Sequence, residues 1–203
     1  LANLLAPRRR GGVPESEEVA TVIFSSGSTG VPKGVMLTHS NILSNVQSVL
    51  EVIALGPGDG VLGILPFFHS FGYTVSLWAT FLSGARGVYH VNPLEAKVVG
   101  ELSQKGGVTI TIATPTFYQS YLRRCTKEQF AGIRVALSGA QKLNQGLADA
   151  WKVKFGSELM EGYGCTEAAP VVSANLPGGG HLPPRQRGHR QGSIGRPLPG
   201  VAV

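Results

Sequence analysis

Apolar positions along the chain alternate between two rhythms. Short apolar runs read as strands: Val19 to Phe24, Val61 to Leu65, Gly87 to His90, Val108 to Ala113, Ile133 to Leu137 and Glu158 to Glu161. The first, short and β-branched, reads as a buried strand, and another short apolar run spans Val35 to Leu37. Between the strands, apolar residues recur at helical spacing. Thr38 or Ser40 can cap a helix running to about Ile53, with Ile42, Val46, Val49, Leu50 and Ile53 on one face. Gly56 to Gly60 then forms a turn. Further helices are predicted over Tyr73 to Leu82, Pro93 to about Lys105, Thr116 to Cys125 behind Pro115, and Leu143 to Phe155. The last of these turns Leu147, Ala150, Trp151 and Phe155 inward. The alternation predicts an α/β fold, a mostly parallel sheet flanked by helices with right-handed crossovers.

Two stretches stand outside this rhythm. Residues 1–18 read as a linker, with Arg8 to Arg10 followed by Glu15, Glu17 and Glu18. Residues 175–192 are rich in Pro, Gly and Arg and read as a mobile loop. A single α/β domain core is therefore expected over 19–203.

Composition narrows the class. An apolar fraction of 42% and a charged fraction of 15% fit a globular protein. The net charge of +6 suits nucleic acid, a membrane surface or phosphate ligands. Apart from Arg8 to Arg10 and the arginines between 185 and 196, the charges are scattered. No aromatic residues interleave those clusters, which argues against nucleic acid. Cys125 and Cys165 have no metal-ligand spacing and read as free thiols in a reducing compartment. Leu1 to Pro7 does not read as a signal peptide. The longest uncharged apolar stretch, Phe71 to Leu82, is too short to cross a bilayer. The chain does not begin with Met, so a piece of something larger is expected.

The densest chemistry lies in Thr21 to Asn41. An apolar run enters a loop of hydroxyls and glycines, Ser25, Ser26, Gly27, Ser28, Thr29 and Gly30, with Lys33 near its end. Exposed backbone N–H groups, hydroxyl donors and a mobile ammonium suit a polyphosphate. The loop lacks the Gly-Lys-Ser/Thr order and following helix of a Walker A loop. Composition alone is equally compatible with a flexible hairpin connection.

Three further strings stand at strand ends. Pro66-Phe67-Phe68-His69-Ser70-Phe71-Gly72 follows one strand. A lone His among aromatics is more often a satisfied core residue than a catalytic one, but α/β folds bind ligands at strand ends. Ser138-Gly139-Ala140-Gln141-Lys142-Leu143 is a tight turn whose small residues let a flat ring lie on the backbone. In Glu161-Gly162-Tyr163-Gly164-Cys165-Thr166-Glu167, two glycines leave the faces of Tyr163 free, and a hydroxyl and a carboxylate follow.

Ser-Ser-Gly-Ser-Thr-Gly-Val-Pro-Lys-Gly closely resembles the phosphate-binding signature of the AMP-forming adenylating enzymes. These include acyl-CoA and acyl-ACP synthetases, luciferases and nonribosomal peptide adenylation domains. The aromatic-His string and the Gly-Tyr-Gly-Xaa-Thr-Glu string resemble that family's later signatures, in the same order. The resemblance implies a partial N-terminal domain of an AMP-forming synthetase. It implies ATP on Ser25 to Gly30 and Lys33, and adenine on Gly139, Ala140, Gln141 and Tyr163, with Glu161, Gly162 and Gly164 beside it. Thr166 is expected on the α-phosphate and Glu167 as the Mg2+ ligand. His69 is expected near the substrate carboxylate, with Phe68, Phe71 and Tyr73 around the acyl group, though an ordinary core role fits these aromatics equally. Lys33, His69, Thr166 and Glu167 are then the catalytic set.

Phe67 to Phe71, the Ser-Gly-Ala-Gln-Lys-Leu string and the residues after Cys165 most resemble bacterial acyl-ACP synthetases, the ligase modules found with 2-acylglycerophosphoethanolamine acyltransferases. A fatty acid is the expected substrate, with an aryl or amino acid as alternatives, and CoA or acyl carrier protein as thiol acceptor. The ribose-gripping acidic residue and the carboxy-terminal lid with its catalytic lysine are absent and expected beyond Val203. The isolated chain is therefore expected to adenylate poorly or not at all. A cytoplasmic location is expected, at the inner membrane's cytoplasmic face if the parent chain carries a membrane domain. Two rival readings remain: a non-catalytic ATP- or AMP-binding module, and a basic docking module using Arg185, Arg187 and Arg190.

Overall fold

The computed structural model describes residues 16–25, 31–176 and 188–202. A hairpin of β1 (Val19–Ser25) and β2 (Lys33–Thr38) leads into α1 (His39–Ile53). After β3 (Gly60–Gly63), a π-helical segment, Gly72–Ala79, runs on as α2 (Thr80–Ser83). Then come β4 (Arg86–Tyr89), α3 (Ala96–Lys105), β5 (Ile110–Ala113), α4 (Pro115–Arg124), β6 (Val135–Ser138) and α5 (Gln145–Phe155). β7 (Leu159–Gly164), β8 (Val171–Ala174) and β9 (Arg196–Pro197) complete the order.

Seven strands form one sheet in the order β4-β3-β5-β6-β7-β8-β9. The first five of that order pair in parallel, as the alternation predicts. β8 and β9 add in antiparallel register and are new to the sequence reading. β3, β5 and β6 are buried at every position, the mark of a sheet covered on both faces. Side chains alternate between the two layers. Val61, Ile110, Ile112 and Leu137 meet Val49, Val52 and Ile53 of α1 on one face. Leu62, Ala113 and Ala136 meet Val99, Tyr118, Tyr121, Trp151 and Phe155 of α3, α4 and α5 on the other. The buried Tyr118 hydroxyl in this layer lies 2.9 Å from the carbonyls of both Thr111 and Leu137, which share its one hydrogen.

β1 corrects the expectation of a buried strand. Among the described residues it pairs only with β2, in a separate two-stranded antiparallel sheet. With one partner and one covered face, it buries Ile23 alone, while Phe24 stays 68% exposed. The covered face packs Ile23 and Leu37 onto Ile42 and Val46 of α1.

Helix starts follow local caps. Thr38 and Asn41 form a reciprocal capping box at α1. α3 begins at Ala96 instead of Pro93 because Asn92 holds a turn, its Oδ1 accepting from the Leu94 amide at 3.1 Å. α5 begins after Asn144, whose Oδ1 accepts from the Gly146 amide at 2.8 Å. At the opposite end of the sheet from the strand-end loops, Arg134 clasps Asp59 through Nε and Nη2, each at 2.8 Å. It also donates to the carbonyls of Ile53, the last residue of α1, and of Ala54, its C-cap.

Of the expected linker, residues 1–15 lie outside the described residues. The Ser16 and Glu18 carbonyls accept from the Ser40 and His39 amides at 2.8 and 3.1 Å. Of the expected mobile loop, 177–187 lies outside, with Arg185 and Arg187. Arg190 is exposed, yet its amide donates to Asn175 Oδ1 at 3.0 Å. Among the described residues, no helix is long and apolar enough to cross a membrane.

Candidate functional site

The loops at the carboxyl ends of β3, β6 and β7 converge on one cavity of about 400 Å³. His69, Ser70 and Phe71 reach it from the loop after β3, Gly139 and Ala140 from the turn after β6, and Tyr163 and Thr166 from β7 and its 3-10 turn. Three strings separated in the sequence thus share a wall. The buried part of the lining includes the aliphatic side chains of Val49, Val52, Leu65, Val75 and Leu137.

Close packing holds the strings together. Ser70 Oγ donates to Thr166 Oγ1 at 3.4 Å. A Cβ on Gly139 would lie 2.6 Å from the Phe71 ring, so glycine there lets that ring seat against the main chain. A Cβ on Gly164 would lie 2.2 Å from the Pro170 carbonyl, which accepts the Cys165 amide at 3.0 Å. The second glycine beside Tyr163 therefore closes the turn as well as freeing the ring, which is 49% exposed. Ala140 takes a left-handed conformation, φ 65°, at the rim.

The structure sorts the other candidates. Ser25 and Lys33 face each other across the mouth of the hairpin, and Lys33 is exposed. Ser26, Gly27, Ser28, Thr29 and Gly30 lie outside the described residues. Glu167 is exposed on the 3-10 turn Thr166–Ala168, next to the cavity-lining Thr166. Gln141 does not line the cavity; its Oε1 accepts from Thr116 Oγ1 at 3.2 Å. Glu161 is buried on β7 outside the lining, its carbonyl accepting from the Asn175 amide at 2.9 Å.

Two acyl-pocket candidates point elsewhere. Phe68 is 72% exposed and stacks obliquely on the His69 ring. Tyr73, one residue into the π-helical segment, is rotated toward the hairpin cluster and Trp78. The aliphatic lining residues Val49, Val52 and Leu198 were missed as site residues. Helical periodicity marks Val49 as buried but cannot tell a residue facing a cavity from one facing the sheet.

Among the described residues, no group of three or more His, Cys, Asp or Glu could cage a metal. One solvent-facing carboxylate, Glu167, fits Mg2+, a hard cation that keeps waters and phosphate oxygens as its remaining ligands. Burial pushes the Cys125 thiol up to about 11, and its sulfur donates to the Ala96 carbonyl. Cys165 is exposed at the cavity wall.

Comparison with known proteins identifies the family. The AMP-binding enzyme family matches residues 6–203. The long-chain-fatty-acid–CoA ligase of Yersinia pestis is 33% identical over 192 residues, covering 92% of this chain and 33% of that protein. The sulfoacetate–CoA ligase of Cupriavidus necator is 33% identical over 184 residues, covering 91% of this chain and 35% of that protein. Among solved structures, the anthranilate CoA ligase AuaEII in complex with anthranoyl-AMP has a TM-score of 0.81 at 26% identity, covering 91% of this chain and 35% of that one. The chain spans about a third of the length of the curated relatives it matches.

Proposed function

Because this chain belongs to the AMP-binding enzyme family, we propose that it is the nucleotide-binding core of an AMP-forming acid–CoA ligase whose acid is a fatty acid. The observation that carries the reading is the lining of the cavity. Exposed His69 and Tyr163 and half-buried Thr166 line it together with buried aliphatic residues. A ligand with a polar, anionic head and an apolar tail fits that lining.

A carboxylate is a poor electrophile, and bringing it to an α-phosphate sets two anions against each other. In this reading the Tyr163 ring and the Gly139 backbone hold the adenine of ATP. The Thr166 hydroxyl donates to the α-phosphate, and Lys33 with the Ser25 to Gly30 loop binds the outer phosphates. Glu167 would hold Mg2+, which when bound neutralises phosphate charge. His69 orients the carboxylate, and Phe71 separates the nucleotide from the acyl tail. Fixed donors aimed at charge that builds during transfer, together with in-line positioning, supply the rate. No general base is required, because the attacking carboxylate is already ionised.

Fatty acid is favoured by the aliphatic wall of Val49, Val52, Leu65, Val75 and Leu137 and by the name of the Yersinia relative. The names of the relatives favour coenzyme A over acyl carrier protein as thiol acceptor. We place the reaction in the cytoplasm, residues 1–18 as a linker, and the isolated chain as a slow adenylating unit. Calorimetry of ATP with and without a panel of carboxylic acids tests the reading. Binding strengthened by a fatty acid supports it. ATP binding indifferent to every acid points instead to a nucleotide-sensing module.

A further inference from the structure

α1 carries one polar residue on its buried stripe, Asn45, 7% exposed between Ile42 and Val46. Its amide is spent on a segment more than a hundred residues away. Nδ2 donates to the Val171 carbonyl at 2.8 Å and the Ala168 carbonyl at 3.3 Å. Oδ1 accepts the Val171 amide at 3.2 Å. These groups follow Thr166 and Glu167 directly, on the last residue of their 3-10 turn and the first of β8. Ala169, the left-handed residue at φ 64° that ends the turn, packs in one cluster with Ile23, Leu37, Ile42 and Val46.

The same helix is continuous with the hairpin. β2 begins at Lys33 and ends at Thr38, whose side chain caps α1 without an intervening loop. α1 therefore holds two separated pieces at once, Lys33 through β2 and the Thr166–Glu167 turn through Asn45. The aliphatic contacts of Ala169 resist separation but set no register. The paired amide bonds are directional and do.

We propose that Asn45 is a positioning residue that sets the spacing between the Lys33 hairpin and the Thr166–Glu167 turn, and thereby the grip on a triphosphate. The inference rests on the nucleotide reading above. It assigns Asn45 no contact with the nucleotide and separates two parts of the ligand. Adenosine uses Tyr163 and Gly139, which Asn45 does not touch. The phosphates use the two pieces that Asn45 keeps in register.

The test is calorimetric titration of the chain and its N45A and N45D variants with adenosine and with Mg·ATP. N45D is isosteric and keeps the acceptor for Val171 N–H, but turns an oxygen toward two carbonyls. The expected result is an adenosine affinity within about twofold and a Mg·ATP affinity lowered about tenfold, the equivalent of one lost hydrogen bond. The Val171 amide should also exchange with deuterium faster in N45A, while the β5 and β6 amides keep their protection. Mg·ATP affinity within twofold in a folded variant overturns the inference, as does an equal loss for both ligands. Should either variant fail to fold, N45S is read in its place. If the unsubstituted chain binds neither ligand, the nucleotide reading itself has failed, and this inference with it.

Discussion

The Ser70 hydroxyl donates to the Thr166 hydroxyl at 3.4 Å, joining the loop after β3 to the turn after β7 across 96 residues of sequence. Ser70 is buried and Thr166 half-buried, so this bond occupies one Thr166 lone pair and turns the Thr166 hydrogen away from Ser70. In S70A the Thr166 hydroxyl loses that orientation but keeps its place. We expect pyrophosphate exchange to fall by about three- to tenfold, for one neutral hydrogen bond, with little change in Tm. A variant that exchanges at the parental rate would show that the bond does not orient Thr166.

Gly139 and Phe71 form a second joint. A methyl group at 139 would have to displace the Phe71 ring, whose nearest atom is 2.6 Å from the Cβ position. G139A should destabilise by about 1–3 kcal/mol through overpacking. Removing the ring should relieve it, so F71A and G139A should cost less together than the sum of their separate effects. Thermal melts of the two single variants and the double variant measure the coupling; strict additivity would mean that the ring moves aside freely.

Much of the fold could be read before the structure, because strands and helices covered on both sides leave strong periodicity. The α/β alternation from Val61 to Phe155 is of that kind. β1 went wrong because its β-branched run looks the same whether one face is covered or two, and a lone hairpin covers only one. β8 escaped because four residues after a Pro carry no period. The cavity wall was legible where glycine, hydroxyl and aromatic residues stand in order, since Gly139, Tyr163 and Thr166 all line it. Tyr73 lies outside the cavity lining because it packs toward the hairpin cluster and Trp78. Asn45 did leave a signal, a polar residue on an apolar stripe, whose partner only the fold reveals.

The Asp59–Arg134 clasp predicts an acid-sensitive term. The Arg134 guanidinium and the Thr109 hydroxyl lower Asp59 from its ordinary 3.8 to about 2 in the folded chain, against a smaller upward push from burial. Because the folded value lies below the unfolded one, the stabilisation is complete above about pH 4 and fades as pH falls toward 2. D59N should lose about 1–3 kcal/mol at pH 7. Its denaturation midpoint should approach the parental one only as pH falls through about 2. Parallel curves from pH 7 to pH 2 would exclude the clasp as the source.

The thiols should react unequally. Cys125 is buried with its pKa raised to about 11, so little thiolate exists at neutral pH. Cys165 is exposed on the cavity wall. Iodoacetamide at pH 7.5 should label Cys165 alone in the native chain, and ATP should slow the reaction. Intact-mass and peptide analysis checks both points; labelling unaffected by ATP would place the nucleotide away from this wall.

The central claim is that one cleft presents an acid to the α-phosphate of ATP. Its most direct test is exchange of labelled pyrophosphate into ATP, measured on this chain and on one extended past Val203, with and without a fatty acid. The account predicts exchange that requires the fatty acid and falls about a hundredfold in K33A and E167Q, from the loss of charge stabilisation at the phosphates. ATP binding accompanied by no acid-dependent exchange in either chain would contradict it.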